Sequence, residues 1–297
     1  MYYNRKMTRV LFFTIYILFF ALISSLLFTI LYMQFDEQPI LALNKAIKYG
    51  AILLCGIFII PTLKLLKIND RRLLGYSEPR VLFLFHIMKG FLLSILLMMP
   101  LIFLYDYLEI RIINNINLIV FDTSFLRILI YTVFISLIIS IIEESYFRGI
   151  MIEKKNNIVT LSLIIGFSSL IYSLFHFIKI PLIIDENIFW YTGLIELLYT
   201  LTHFFKNIYL DSAMTLFILG ILLGIIRVRH QSISYCIGMH AGFIFLIKTF
   251  KQNSSVNYNS TYNSFLSSHD QFTGNLATMW IFIILIIYLV YISRSKK

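Results

Sequence analysis

Apolar residues run along this chain in long unbroken blocks, not in alternation and not as a narrow stripe. A helix needs roughly 20 such residues to cross a hydrocarbon core. The blocks predict spanning helices over about 8–33, 46–66, 81–104, 125–145, 158–180, 208–226, 232–249 and 275–293. A transmembrane barrel would instead show ten-residue stretches of alternating polarity. The first block is too long for the apolar region of a signal peptide and no A-x-A site follows it, so it reads as a retained first span. Segment 186–206 differs. Its Glu196, Thr200, His203 and Asn207 recur at spacings of three and four and share one helical face, with Trp190 and Tyr191 near its start. That pattern predicts a helix lying along the membrane interface. The stretch 252–274, rich in Ser and Asn, predicts a flexible external loop. The fold class is therefore all-α: a polytopic membrane protein of about eight transmembrane helices with one interfacial helix.

Composition agrees. Of 297 residues, 59% are hydrophobic and 13% charged, and the mean hydropathy is +0.85. Soluble domains run at roughly 45–50% apolar and about 25% charged. The net charge of +10 does not point to nucleic acid, because the basic residues are distributed among short loops. Arg5, Lys6 and Arg9, then Lys64, Lys67, Arg71, Arg72 and Arg80, then Lys154 and Lys155, Arg227 and Arg229, and finally Arg294, Lys296 and Lys297 fall on one side. The opposite loops carry Asp36 and Glu37, Asp106 and Glu109, Asp185 and Glu186. This bias predicts a multi-pass protein of the cell membrane with both termini in the cytoplasm. Cys55 and Cys236 lie in apolar segments and read as inert packing residues. Residues 1–110 form an N-terminal transmembrane scaffold, 111–250 a core holding the polar motifs, and 251–297 the external loop and last span. Gly220 and Gly224, four apart, mark a face suited to close helix packing.

Few polar residues are left to carry chemistry. Glu143, Glu144 and Arg148 close the fourth apolar block, in ISLIISIIEESYFRG. An ionisable cluster at membrane depth is a functional-site hypothesis by default, against the plainer reading of a solvated charge cluster at a helix end. Glu144 and Arg148, one turn apart, are spaced to pair; Glu143 lies about 100° around the axis and is freer to face a cavity. His176 in SSLIYSLFHFIKIP follows Tyr172 by four residues, which would put both on one face. His240 in YCIGMHAGFIF is flanked by Gly238 and Gly242, where a neighbouring helix or a substrate backbone can approach closely. A glutamate with two histidines can act as general base on water with imidazoles polarising a carbonyl. The same three residues also match a two-histidine, one-carboxylate zinc site. Both chemistries stay open on the residues alone. His86, His203, His230 and His269 match no motif.

An EExxxR sextet, an aromatic-xxx-His on the next span and a Gly-x-His-Ala-Gly on a later one together resemble the CPBP family. These are the CAAX-protease and bacteriocin-processing intramembrane proteases, also called Abi or lysostaphin-resistance-protein-A-like. The resemblance covers about 125–247. It implies a helical core whose motifs meet at a cavity open toward the cytoplasm. It further implies an intramembrane endopeptidase acting on a peptide or membrane-associated protein. Glu143 would be the base on water, His176 would hold the water or the reacting carbonyl, and His240 would stabilise the oxyanion. Glu144, Arg148 and Tyr172 would be structural support. A metal-free glutamate mechanism is favoured; if zinc is used, Glu143, His176 and His240 would be its ligands. The implied partners are that substrate and the lipid bilayer. One departure is plain: Ile244 stands where many relatives place Asn or Asp. It motivates the alternative of a catalytically silent scaffold or immunity protein that binds a partner peptide. A transporter, with Glu143 as proton relay, would show internal repeats or matched broken spans, and the chain has neither.

Overall fold

In the computed structural model the described residues are 4–34, 41–68, 70–113, 123–152, 157–183, 188–206 and 208–295. Asp36, Glu37, Lys154, Lys155, Asp185, Glu186, Asn207, Lys296 and Lys297 lie outside them, as do the side chains of Arg5 and Lys6. Backbone amides left in hydrocarbon must be satisfied within their own segment, and the apolar blocks accordingly fold as helices. These are α1 (Asn4–Tyr32), α2 (Leu43–Leu65), α3 (Arg80–Tyr107), α4 (Thr123–Glu144), α5 (Ile158–Phe175), α6 (Thr192–Thr202), α7 (Leu210–His230), α8 (Ser234–Gln252) and α9 (Asn275–Arg294). Among the described residues, seven helices are long and apolar enough to cross a membrane: α1, α2, α3, α4 with the turn after it, α5, α7 and α9. The all-α polytopic class holds. The seventh expected span, α8, is not among the seven. It carries His240, Lys248 and Lys251 and buries most of its length against other helices, so protein rather than lipid surrounds it. The interfacial expectation meets α6, whose 11 residues extend about 16 Å, too short to span.

The chain divides into two compact units. The first comprises residues 1–70 and 174–208, the second 71–173 and 209–297. In the first, α1 packs on α2 and α6. Ser24 donates to the Ile47 carbonyl at 2.7 Å and Tyr16 to that of Cys55 at 2.9 Å, which satisfies hydroxyls buried between apolar helices. A Cβ at Gly193 of α6 would overlap Thr29 and come within 2.8 Å of the Ser25 carbonyl, so the missing side chain sets how closely α6 lies on α1.

In the second unit α8 runs against α3 and α4. Its seam with α3 is built from small residues. A Cβ at Gly238 would overlap the Ile87 backbone and one at Gly242 the Ser94 hydroxyl, while one at Gly90 would stand 2.8 Å from the Tyr235 carbonyl. The glycines flanking His240 therefore admit a helix. Gly220 and Gly224 of α7 meet Ser169 and Ile165 of α5 in the same way. A core of Leu101 and Tyr105 (α3), Leu222 and Leu223 (α7), Met239 and Phe243 (α8) and Ile281 (α9) fills the centre.

The expected flexible loop after α8 is instead tied down. Strand β2 (Ser254–Val256) pairs antiparallel with β1 (Arg111–Ile113), Arg111 opposite Val256. Arg111 is 2% exposed, and its guanidinium donates to Ser254 Oγ at 2.9 Å, the Gln271 carbonyl at 2.7 Å and the Ser254 carbonyl at 2.8 Å. Burial lowers the pKa of this guanidinium from its ordinary value, opposed by Tyr105 and Asp270. Asp270 Oδ1 accepts from the Thr273 amide at 2.8 Å, and Asp211 Oδ1 from Ser267 at 2.9 Å. The Ser and Asn richness that suggests a solvated loop is spent on internal hydrogen bonds.

Candidate active site

Regular α-helix stops at Glu144. Residues Ser145–Ile150 continue as a π-helical turn, the Met151 amide reaching back to the Tyr146 carbonyl at 3.2 Å. Single wide turns of this kind insert a residue into a helix and recur at functional sites. Four contacts hold this one. Tyr76 and Ser145 hydroxyls are 2.6 Å apart, and Ser168 donates to the Phe147 carbonyl at 2.9 Å. Arg227 donates to the Arg148 carbonyl at 3.2 Å and to the Leu73 carbonyl at 3.0 Å. Gly149 lets the Leu74 carbonyl approach to 2.9 Å of where a Cβ would stand.

Arg227 reads in the sequence as a basic loop residue. It is 4% exposed and serves as the clamp on the wide turn. Its signal was its place at four and three residues in the series Gly220, Gly224, Arg227, the face of α7 that packs inward.

On this frame Glu144 and Arg148 form an ion pair at 3.0 Å, with 0% and 1% of their side chains exposed. The Arg148 guanidinium lies 4.4 Å over the Tyr172 ring of α5, and Phe147 meets the same ring edge-on. His240 of α8 closes the group. Its Nδ1 is 2.8 Å from Glu144 Oε1, and its Nε2 is 3.3 Å from the Tyr172 hydroxyl and 3.8 Å from Glu143 Oε2. A carboxylate ion-paired with Arg148 only accepts, so Nδ1 carries a proton and Nε2 is the nitrogen turned toward Glu143 and Tyr172. Glu143 is the member with access: 28% of its side chain is exposed, against 4% for His240. Glu143, Glu144, Arg148, Tyr172 and His240 thus come together from α4, the wide turn, α5 and α8.

His176 is placed differently from its expected helical position. α5 ends at Phe175, five residues short of the expected boundary, and His176 lies half-buried in the turn that follows. The Phe177 amide there bonds back to the Leu174 carbonyl at 3.0 Å, closing a tight turn in place of a further helical one. His176 belongs to the first unit. The other histidines have local partners: His86 bonds Glu78 at 2.9 Å, His230 packs on Tyr235, His203 on Tyr199 and His269 on Tyr209.

Among the described residues no group of three or more His, Cys, Asp and Glu side chains is arranged to hold a metal ion. Glu143 and His240 supply two donors, one fewer than the three protein ligands of a catalytic zinc site.

Residues 125–246 match the family model for Rce1-like proteins, described as type II CAAX prenyl endopeptidase Rce1-like. The matched segment opens in α4 and ends in α8, and so takes in all five clustered residues as well as His176. That model describes a peptidase, and this segment is similar to it; the seven apolar helices make the chain a multi-pass membrane protein. No curated protein and no solved structure matches the chain.

Proposed function

We propose that this protein is an intramembrane endopeptidase that hydrolyses a peptide or membrane-associated protein near the cytoplasmic face, with both its termini in the cytoplasm. The observation that carries the reading is the approach of Glu143, whose side chain is 28% exposed, to within 3.8 Å of His240 Nε2 inside a segment that matches the Rce1-like model. Glu143 takes a proton from water, and the water oxygen adds to the scissile carbonyl. Glu143 passes that proton to the bare Nε2 of His240, and the charged ring donates Nε2–H to the carbonyl oxygen, now negative. The proton returns through Glu143 to the departing nitrogen, the C–N bond breaks, and an acid and an amine leave. A positioned base and an oxyanion partner each supply orders of magnitude in rate. Glu144 and Arg148 hold His240 in place. His176 enters through the family resemblance as the group that orients water or carbonyl. The mechanism is metal-free, and full activity in strong chelator with no zinc in the purified protein is the expected result.

The decisive experiment uses purified protein in liposomes and a library of lipidated and unlipidated peptides. Wild type is expected to cleave a subset, while Glu143→Gln, equally expressed and folded, is expected to lose at least a thousandfold in kcat. Unchanged cleavage by Glu143→Gln sinks the assignment. Ile244 favours a second reading, a silent member of the family that holds a peptide without cutting it. Glu143-dependent binding with no cleavage of any library member would select it.

A further inference from the structure

His240 is gripped at both nitrogens, and the two grips differ in kind. On Nδ1 sits a carboxylate, Glu144, itself fixed by Arg148 at 3.0 Å. On Nε2 sits a phenol, Tyr172, at 3.3 Å, with its ring roughly perpendicular to the imidazole. A carboxylate can only accept, whereas a hydroxyl both donates and accepts. The Tyr172 hydroxyl can therefore donate to a bare Nε2 when the ring is neutral and accept from Nε2–H when the ring is charged. An apolar residue would hold neither state, and a second carboxylate would hold the charged one alone.

The ring of Tyr172 is anchored independently of its hydroxyl, by Arg148 on its face at 4.4 Å and by Phe147 at its edge. Tyr172 and His240 are 1% and 3% exposed, so the hydroxyl acts on the imidazole and not on solvent. Glu143, 3.8 Å from the same Nε2, has 28% of its side chain exposed.

We propose that Tyr172 is a positioning residue. Its hydroxyl holds His240 Nε2 in one orientation in both protonation states, and so keeps that nitrogen beside Glu143 while the charge of the ring changes during turnover. The assignment rests on the peptidase reading for its kinetic consequence and on geometry alone for its spectroscopic one.

Tyr172→Phe keeps the ring against Arg148 and removes the oxygen. In protein labelled with ¹⁵N-histidine, with the His240 signal among the six histidines assigned by its loss in His240→Gln, wild type is expected to show one tautomer protonated at Nδ1. Tyr172→Phe is expected to show a displaced Nε2 signal or a mixture of tautomers. In cleavage assays kcat is expected to fall about tenfold to a hundredfold, the range a small misplacement of a reacting group produces, with KM within twofold. Placing 4-aminophenylalanine at the Tyr172 position, which restores a donor on the same ring, should return the His240 signal and at least part of kcat. It also carries the test should the phenylalanine variant not fold. Identical ¹⁵N signals in wild type and Tyr172→Phe would overturn the proposal, as would an unchanged kcat. If wild type cleaves nothing while the ¹⁵N signals behave as expected, the peptidase reading fails and the positioning of His240 stands.

Discussion

Consider Arg148→Met. The side chain is of similar length and apolar, so the change removes a charge without opening a large void. Glu144, with 0% of its side chain exposed, loses its ion-pair partner at 3.0 Å and keeps the hydrogen bond from His240 Nδ1 at 2.8 Å. Breaking a buried pair by deleting one partner costs about 3–5 kcal/mol, because the remaining charge is stranded away from water. At about 2–4 °C per kcal/mol for domains of 150–250 residues, melting should fall by about 6–20 °C. Replacing both partners, Glu144→Gln with Arg148→Met, removes the stranded charge and should recover about half or more of that loss. Thermal unfolding in one detergent, followed by intrinsic fluorescence for wild type, both single variants and the double variant, supplies the full cycle. A loss under about 1 kcal/mol for Arg148→Met, or strict additivity of the two changes, would refute the reasoning, since residues in direct contact should couple.

Other outcomes follow from other parts of the structure. Arg227→Met removes the charged donor from the carbonyls of Arg148 and Leu73; it should cost about 3 kcal/mol and lower kcat, whereas unchanged melting would show that the wide turn holds without its clamp. Gly238→Ala sets a methyl against the Ile87 backbone and should cost about 1–3 kcal/mol, while Gly56→Ala and Gly166→Ala, with nothing within 4 Å, should be neutral or slightly stabilising; equal effects at all three would refute the α3–α8 seam. Arg111→Met should expose residues 252–274 to limited proteolysis by thermolysin, and an unaltered digestion pattern would count against the tie between β1 and β2. Ile244→Asn restores a polar side chain one turn beyond His240 and should raise kcat/KM at least tenfold; no gain would mean that this position takes no part in turnover.

Much of the fold is legible in the chain because lipid imposes one rule: long apolar runs must be helices. Helix α8 escapes that rule. Its apolar residues face α3, α4 and α7 instead of lipid, and an alternating need for glycine and polar groups lowers its hydropathy. The Glu144–Arg148 spacing is visible because one helical turn is short-range geometry. The wide turn that follows is not visible: nothing in SYFRGI distinguishes five-residue from four-residue hydrogen bonding, and its causes lie at Leu73, Ser168 and Arg227, far off in the chain. Arg111 and Arg227 were hidden for a related reason. A buried arginine and a loop arginine have the same letter, and only the carbonyls gathered around each tell them apart. His176 exposes the weakness of counting four residues along a presumed helix, since that helix ends one residue before it.

The π turn at Ser145–Ile150 also has a consequence for how this chain can change length. A wide turn holds one residue more than the α-helix it replaces. Deleting any one of those six residues would let the segment relax to regular α geometry. The chain beyond the turn would keep its helical phase, because the surplus residue is the one removed, whereas the carbonyls of Phe147 and Arg148 and the bare Cα of Gly149 would move off Ser168, Arg227 and Leu74. A deletion in α4 has no surplus to absorb it and would turn everything beyond by about 100°. Single-residue deletions in Ser145–Ile150 should therefore cost the site its anchors yet spare the fold, and the same deletions within α4 should cost both, so the segment is a caliper with one notch of slack.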